Sequence, residues 1–505
     1  MNSQLDINAD SLLKKFKKDS LVYAPAILIP AFLNVLTVTI VTRLFSAESF
    51  GQYSIVIAST GIFVALISQW INQSIQRYRP IYKKNNKQTE FNLHINYMIF
   101  GLIIGCGLIS ISFAPFMNTL MGDYEVYYWP SVILIILQSI YSIISTIYRA
   151  DLKAKYYRLF QVLNAILKLL IALVWILLIK KEIIGLVWGG IISFACLIVP
   201  MYVASGLFHI EKSPIGKNLK LFWGFSMKFM VYGFPMLGWF LGTSLLNLGD
   251  RYMLEYFSTS EQVGIYSANY SLVMTALGLI STPLLTSAHP VIMNAADNLD
   301  REKLKEVISR FSRVFLIVIV PLTVYIIVFR TEITNILLGE EFREGKQIIP
   351  VLIIGMVVWK FSMFGHKGLE VEEKTRIMLW FVVIATVFNL LLNALLIPDY
   401  GYVGAANATL ISFLIYPILI YFYSRKNTPW VIKGDSAIRI ILCSIITGLL
   451  LSIINSFLRE FIPSFILIII GCISFIIIYL LLLLTTNELN IQEKRALNRM
   501  FGMTK

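Results

Sequence analysis

Two lysines stand inside long apolar runs of this sequence. Lys168 lies about twelve residues into the run 156–179, and Lys360 lies within the run 346–368. At 1.5 Å of rise per residue, Lys168 would be roughly 15 Å or more from either end of a helix, which is beyond the reach of a lysine that snorkels to the membrane surface. No acidic residue lies in mid-run to neutralise either charge. Two such bases predict an anionic ligand, and a lysine is a suitable point charge for phosphate.

Amide side chains accompany the first lysine at helical spacing. Gln161 and Asn164 precede Lys168 by seven and four residues, so all three would share one face of a helix. In another apolar run, Asn389 and Asn393 continue a similar polar stripe. A cavity that binds a polar ligand explains these amides, and interhelical hydrogen bonding explains them equally well. For the two lysines, a cavity-facing role is the favoured hypothesis.

An adjacent acid and base, Asp250 and Arg251, close another apolar run near its predicted outer end. Neighbouring positions on a helix point about 100° apart, so the two side chains face different directions. The pair is either an interfacial anchor or an outer gate or coupling site, and the sequence favours neither. No phosphate loop, zinc-protease helix or nucleophile elbow occurs, and the outer loops are short. We therefore expect a protein that is not an enzyme and has no metal site.

The composition predicts an integral membrane protein. Of 505 residues, 57% are hydrophobic and 14% are charged, and apolar runs of roughly 20 residues, the length that spans a bilayer, recur along the whole chain. We count fourteen such spans and expect helices, because backbone polar groups in hydrocarbon must be satisfied within the segment. The four cysteines lie inside these runs and suit apolar packing better than a disulfide framework.

The basic residues are distributed unevenly between the predicted loops. With the amino terminus in the cytoplasm, 33 of the 43 lysines and arginines fall on the cytoplasmic side and eight on the outer side, as the positive-inside rule requires. An even number of spans then places both termini in the cytoplasm. The net charge of +14 is explained by this topology, so we expect no nucleic-acid partner.

The chain contains an internal duplication. The stretch 247–267 repeats features of 34–54 at a constant shift of 213 residues, and 376–397 repeats 158–179 at a shift of 218. Six spans precede six similar spans, so both copies would enter the membrane from the same side, as a parallel repeat. The predicted fold is all-α integral membrane with about 14 transmembrane helices, arranged as two six-helix lobes plus two C-terminal helices. The predicted domains are a cytoplasmic amphipathic amino terminus (1–19), an N-lobe with spans one to six (20–208), a cytoplasmic linker (209–226), a C-lobe with spans seven to twelve (227–424), and two further spans with a cytoplasmic tail (425–505).

Several short motifs carry a resemblance to a known family. They are Gly233-Phe-Pro235, Asp250-Arg251, Glu261-Gln-Val-Gly-Ile-Tyr-Ser267, Leu338-Gly-Glu-Glu-Phe342, Tyr400-Gly-Tyr-Val-Gly-Ala-Ala406 and Leu410-Ile-Ser412. With these motifs the chain resembles the polysaccharide transporter or oligosaccharide (O-antigen, capsule) flippase family. That family belongs to the multidrug/oligosaccharidyl-lipid/polysaccharide exporter superfamily. The resemblance extends from about residue 20 to 485.

The resemblance implies a flippase in the bacterial cytoplasmic (inner) membrane. Such a protein moves an undecaprenyl-pyrophosphate-linked oligosaccharide repeat unit from the cytoplasmic to the outer leaflet by alternating access, for the synthesis of a cell-surface polysaccharide. We expect no cofactor, a Na+ or H+ gradient as the candidate coupling source, and membrane lipids, a polysaccharide polymerase and glycosyltransferases as candidate partners. From their positions alone, the predicted substrate-binding residues of a cationic cavity are Lys168, Lys360, Asn164, Gln161 and Asn389, and the predicted gate or coupling residues are Asp250 and Arg251.

Two other functions compete with this one. An ion-coupled exporter of multiple drugs or other small molecules on the same fold would require carboxylates inside the membrane, and Asp250 is the nearest candidate. A polysaccharide polymerase would need a large outer loop with catalytic residues, which the sequence lacks. The flippase is therefore the favoured prediction.

Overall fold

The computed structural model describes residues 25–117, 122–210, 215–298, 300–424, 430, 434–489 and 493–494. The described chain is helical and contains no strand, because an apolar segment satisfies its own backbone hydrogen bonds only as a helix. The predicted amphipathic segment 1–19 lies outside the described residues. The long helices are α1 (Pro25–Leu44), α2 (Ala47–Lys84), α3 (Gln88–Phe113), α4 (Tyr128–Ala150), α5 (Ala154–Val174), α6 (Gly185–Ser205), α7 (Ile215–Phe257), α8 (Ser260–Asn298), α9 (Arg301–Val328), α10 (Ile349–Val371), α11 (375–400), α12 (402–424), α13 (Gly434–Leu458) and α14 (Ser464–Thr485).

Gly401 separates α11 from α12 in what is otherwise one continuous helix. Its backbone angles, φ 53° and ψ −135°, are non-helical, and glycine adopts positive φ readily because it has no Cβ. α7 is bent by 47° between Phe222–Phe234 and Met236–Phe257. Among the described residues, twelve helices are long and apolar enough to span a membrane, or thirteen when bent α7 counts as one span. The division at Gly401 raises the number to fourteen, which confirms the predicted all-α membrane fold.

The turns that follow α4 and α10, at matching places of the predicted repeat, have the same backbone geometry. α4 ends at the C-cap Asp151, and α10 ends at the C-cap Glu372. The next residue has positive φ in both copies, 57° at Leu152 and 54° at Glu373. The residues that follow, Lys153 and Lys374, each donate their backbone N–H to the carbonyl of the residue five positions earlier. The same turn also follows α2 at Asn86 and α14 at Asn487, so it is a common helix ending of this protein. The duplication rests on the sequence, and the lobe and linker boundaries stay a prediction.

Residues up to Ser267, together with Val382–Gly401, form one compact unit. Within it α2 packs along both α4 and α7, and Ser74 Oγ of α2 donates a hydrogen bond to the Phe229 carbonyl of α7 (2.9 Å). Near the carboxyl end of α2, the fully buried Arg79 forms an ion pair with Asp151, the C-cap residue of α4. Arg79 Nη2 lies 3.0 Å from Asp151 Oδ2. α2 is therefore the central helix of this unit.

The other compact unit contains Ala268–Phe381 and Tyr402–Lys505. α13 and α14, which have no counterpart in the repeat, belong to its core: Phe475 and Tyr479 of α14 are buried in one cluster with Leu316 of α9. Beyond α14, the buried Glu488 accepts hydrogen bonds from Arg313 and Arg439, each with a donor–acceptor distance of 2.8 Å. The two C-terminal spans are thus an integral part of this unit.

Candidate functional site

Lys168 lies deep in α5, eleven residues before the end of the π-helical turn Trp175–Ile179 that extends the helix. Gly189 of α6 allows the backbones of α5 and α6 to approach here, and the neighbouring Gly190 faces the Lys168 side chain. A Cβ on Gly189 would lie 2.7 Å from the Lys168 carbonyl oxygen, and one on Gly190 would lie 3.9 Å from Lys168 Cε. The lysine side chain is partly exposed and has no hydrogen-bond or ion-pair partner among the described residues. Nothing in the described chain neutralises this base.

The predicted amides near Lys168 have different surroundings. Asn164 Oδ1 accepts a hydrogen bond from Ser193 Oγ of α6 (2.9 Å), and the Asn164 carbonyl oxygen is 3.2 Å from the same hydroxyl. This contact is the interhelical hydrogen bonding that the sequence offered as the alternative to a cavity. Gln161 makes no side-chain hydrogen bond to a described residue, so it remains able to contact a ligand together with Lys168.

Lys360 lies at the middle of α10, eleven residues from each end. Aromatic contacts surround its position: Trp359 packs on Tyr416 with ring centroids 4.5 Å apart, and Phe361 packs on Trp430 at 4.9 Å. Lys360 is partly exposed, and within the described part of the chain it has no hydrogen-bond or ion-pair partner. Each compact unit therefore contains one unpaired lysine in the centre of a span.

Asp250 of α7 is fully buried in a hydrogen-bonded network of three helices. Its Oδ2 accepts a hydrogen bond from the Tyr266 hydroxyl of α8, and its Oδ1 accepts one from Asn393 Nδ2 of α11. The donor–acceptor distance is 2.6 Å in both hydrogen bonds. The same nitrogen lies 3.2 Å from Asn389 Oδ1. Asn393 Oδ1 and Asn389 Nδ2 are buried and have no hydrogen-bond partner among the described residues. The network thus combines a buried carboxylate with two amide atoms whose hydrogen-bonding capacity is not filled.

Arg251 is buried beside this network. Its Nε donates a hydrogen bond to Ser267 Oγ (3.1 Å), and its Nη1 donates one to the Asn247 carbonyl (3.0 Å). α7 continues to Phe257, about two turns beyond the pair, and only 7% of Arg251 is exposed. An interfacial anchor would keep its charged group at the water boundary. This burial is unlike that of an interfacial anchor, and a gate or coupling role for the pair stays a prediction.

Tyr266 and Asn393 complete the Asp250 network. The sequence assigned no role to Tyr266 and placed Asn393 only in the polar stripe with Asn389. Tyr266 is the tyrosine of the repeated Gly-x-Tyr-Ser motif, and Asn393 follows Asn389 by one helical turn. Both regularities were signals that these residues are unusual. Neither signal identifies Asp250 as their common partner, because Tyr266 lies on the following helix and Asn393 is 143 residues away.

A second cluster of titratable groups lies in the other compact unit. Glu370 of α10 accepts a hydrogen bond from Lys367 Nζ (2.7 Å), and its carboxylate lies 3.1 Å from His366 Nε2 and 3.5 Å from His289 Nδ1. His366 Nδ1 is 2.6 Å from the Tyr416 hydroxyl. Two of the four histidines therefore meet at one carboxylate. Spacing along the chain does not predict this arrangement, because His289 comes from α8.

The fold and its polar positions define a multi-pass membrane protein with ionisable side chains in the middle of its spans. The family model described as "Polysaccharide biosynthesis protein" matches residues 16–296, more than half of the chain, and the chain belongs to this family. A model described as "MatE" matches residues 235–395. These matches confirm the predicted relationship to the polysaccharide transporters of the multidrug/oligosaccharidyl-lipid/polysaccharide exporter superfamily.

Two curated relatives match part of the chain. A probable low-salt glycan biosynthesis flippase of Haloferax volcanii is 24% identical over 212 residues, which are 42% of this chain and 43% of the relative. An uncharacterized membrane protein of Methanocaldococcus jannaschii is 26% identical over 212 residues, 40% of this chain and 41% of that protein. The match therefore spans less than half the length of either relative.

Solved structures share the fold along most of the chain. The lipid II flippase MurJ in an inward closed conformation superimposes with a TM-score of 0.74 at 14% identity, covering 92% of this chain and 98% of that one. An inward-facing multidrug resistance MATE transporter gives a TM-score of 0.64 at 14% identity, covering 81% and 97%. A transporter of the same superfamily from Pyrococcus furiosus gives 0.60 at 15% identity, covering 81% and 95%. At these identities the likeness establishes the fold alone.

Proposed function

We propose that this protein is a flippase that moves a lipid-linked oligosaccharide across the membrane. The observation that carries the proposal is that two lysines in the middle of spans, Lys168 and Lys360, have no ion-pair or hydrogen-bond partner among the described residues. The chain that contains them belongs to the polysaccharide biosynthesis protein family. The Haloferax relative, described as a glycan biosynthesis flippase, supports the same function. The fold shared with the lipid II flippase MurJ supports a transporter architecture.

The chemistry of the cargo follows from the two bases. A charged group at the bilayer centre is costly unless it is paired or hydrated, so an unpaired lysine there fits a cavity that an anion enters. A lysine ammonium binds phosphate as a point charge. An undecaprenyl pyrophosphate-linked repeat unit supplies such an anion on a lipid tail, and Gln161 beside Lys168 would contact its polar part. Alternating access would then carry the unit from the cytoplasmic to the outer leaflet, for a surface polysaccharide such as capsule or O-antigen.

The Asp250 network is the proposed site of coupling to an ion gradient. A carboxylate has the chemistry to bind H+, and an oxygen-rich site suits a hard cation such as Na+. The oxygens of Asp250 accept hydrogen bonds from two neutral donors, Tyr266 and Asn393. Asn393 Oδ1 accepts no hydrogen bond from a described residue. Binding of H+ or Na+ would change hydrogen bonds that join α7, α8 and α11. Arg251 is included in this proposal as a buried neighbour.

The proposed setting is the bacterial cytoplasmic membrane, with both termini in the cytoplasm. The excess of basic residues on one set of loops supports this orientation. A polysaccharide polymerase and glycosyltransferases are the proposed functional partners, because they would consume and supply the lipid-linked unit.

Substitution of the two lysines tests the cationic cavity. Lys168→Ala or Lys360→Ala is expected to reduce surface polymer, and the double variant is expected to reduce it at least tenfold, because the phosphate then lacks a counter-charge. Polymer is quantified on whole cells, and protein in the membrane is quantified by immunoblot. Lys181→Ala, which removes an exposed basic residue outside the spans, is the control and should leave polymer unchanged. Wild-type polymer in the double variant would exclude the cationic cavity.

A deletion strain tests the function itself. Loss of the gene is expected to leave undecaprenyl-linked sugars on the cytoplasmic face of the membrane, and their analysis identifies the repeat unit. An ion-coupled multidrug exporter is the alternative, favoured by the MatE match over residues 235–395. That alternative predicts greater drug sensitivity in the deletion strain, with normal surface polymer and no lipid-linked intermediate.

A further inference from the structure

Two exposed cations are held against tyrosine rings where α2 and α7 pack together. Arg77 Cζ lies 4.7 Å from the ring centroid of Tyr232, and Lys228 Nζ lies 4.5 Å from that of Tyr78. The rings of Tyr78 and Tyr232 meet edge to face at 5.7 Å, and the Tyr82 ring is 5.7 Å from the same lysine nitrogen. We call these five residues the cation–tyrosine ladder.

The ladder carries positive charge that no acid in the described chain compensates. An aromatic ring attracts a cation through its quadrupole but has no net charge, so Arg77 and Lys228 keep theirs. Neither residue forms an ion pair with a described residue. Arg79, two residues from Arg77, differs because it is buried and pairs with Asp151. The rings also restrict the two exposed cations, so less side-chain freedom is lost when an anion binds.

The surface beside the ladder is apolar. On α7 the side chains of Met227, Met230 and Val231 are 52%, 44% and 70% exposed, and Ile81 on α2 is 47% exposed. Apolar side chains exposed on a spanning helix are solvated by lipid tails. A soluble phosphate would use only the two charges of this region. A lipid whose headgroup carries phosphate would use the charges and the apolar flank together.

We propose that the cation–tyrosine ladder binds the diphosphate headgroup of a polyprenyl lipid. The ladder lies toward the ends of α2 and α7 that the charge distribution predicts to face the cytoplasm. It would hold the lipid-linked cargo there before the cargo reaches the lysines in mid-membrane. This inference rests on the proposed function and adds the place at which its substrate first binds.

A binding titration of the purified full-length protein tests the ladder. Undecaprenyl diphosphate is titrated into the detergent-solubilised protein, with phosphatidylglycerol as the anionic comparison and phosphatidylcholine as the neutral one. We expect preference for undecaprenyl diphosphate and at least tenfold weaker binding in Arg77→Gln/Lys228→Gln. The control Lys84→Gln/Lys87→Gln removes two exposed charges, one at the same end of α2 and one in the turn that follows it, and should change the affinity less than twofold. Arg77→Lys/Lys228→Arg keeps both charges and should keep most of the affinity, which separates charge from misfolding.

Different results would overturn different parts of this reasoning. If the wild type prefers undecaprenyl diphosphate and Arg77→Gln/Lys228→Gln binds it equally well, the ladder is not the site, and the proposed function stands. Equal loss in the control pair would also reject the ladder, because general surface charge would then explain binding. If the wild type binds phosphatidylglycerol as tightly as undecaprenyl diphosphate, the cargo of the proposed function is wrong as well.

Discussion

At the scale of single residues, Asp250 is the carboxylate whose surroundings are most informative. It is fully buried, yet both of its oxygens accept short hydrogen bonds from the neutral donors Tyr266 and Asn393. Hydrogen bonds to an ionised group are stronger than those between neutral groups, so these donors compensate part of the lost hydration. The first copy of the repeat has Thr37 and Val38 at the places of Asp250 and Arg251. The charge is therefore a property of one copy and is not required by the duplicated scaffold.

Asp250→Asn should separate coupling from structure. The amide keeps the shape but removes the charge, so we expect gradient-driven transport of lipid-linked sugar in proteoliposomes to fall at least tenfold while the protein stays folded. Tyr266→Phe is the control: it keeps the charge and removes one hydrogen bond, worth about 0.5–1.5 kcal/mol, and should retain transport within a few-fold. Full gradient-driven transport by Asp250→Asn would show that this carboxylate does not couple transport to the ion.

At the scale of helices, the duplication produces a reciprocal contact between α2 and α8. A Cβ on Gly51 would overlap the Ser260 carbonyl, and a Cβ on Gly264 would overlap the Ala47 carbonyl. Gly51 and Gly264 are related by the shift of 213 residues, and so are Ala47 and Ser260. Each helix thus presents the same glycine to the same place on the other, and the backbones touch there. Only a residue without a Cβ permits this approach.

Gly51→Ala should destabilise the protein, because the obstacle to its Cβ is backbone that moves only together with the helix. We expect a loss of about 1–3 kcal/mol, the usual effect of overpacking, seen as a lower thermal unfolding temperature in mild detergent. Gly61→Ala in the same helix is the matched control, since no atom lies within 4 Å of its Cβ. That substitution should be neutral or raise stability by up to about 1 kcal/mol through helix propensity. Equal unfolding temperatures for the two variants would contradict the close backbone contact.

At the scale of the whole molecule, the number of spans and the distribution of basic residues predict the same membrane topology, with both termini in the cytoplasm. The predicted fourteen spans would return the chain to its starting side, and the basic residues concentrate in alternate predicted loops. The exposed residue Lys87, between α2 and α3, would then face the cytoplasm. The exposed residue Glu460, between α13 and α14, would face the outside.

Cysteine labelling tests that topology. We expect a membrane-impermeant maleimide to label Glu460→Cys in intact cells and to label Lys87→Cys only after the membrane is opened. The native cysteines lie within spanning helices, so the parent protein is the background control. Labelling of Lys87→Cys in intact cells would reverse the proposed orientation.

The amino-acid sequence is sufficient to predict the membrane-spanning helices and their repeat. Burial in hydrocarbon depends on the length and hydropathy of each segment, and these are local properties of the chain. The depth of Lys168 and Lys360 followed for the same reason, since it requires only the position of a residue within its own helix.

Which polar groups meet depends on how the helices pack against each other. Asn164 was predicted to contact a ligand, and its hydrogen bond to Ser193 depends on how α5 lies against α6. Asp250 and Asn393 are 143 residues apart, yet their side chains are in direct contact. A hydrogen bond needs donor and acceptor atoms within about 3 Å, and no local pattern specifies such a distance between helices that are remote in the chain.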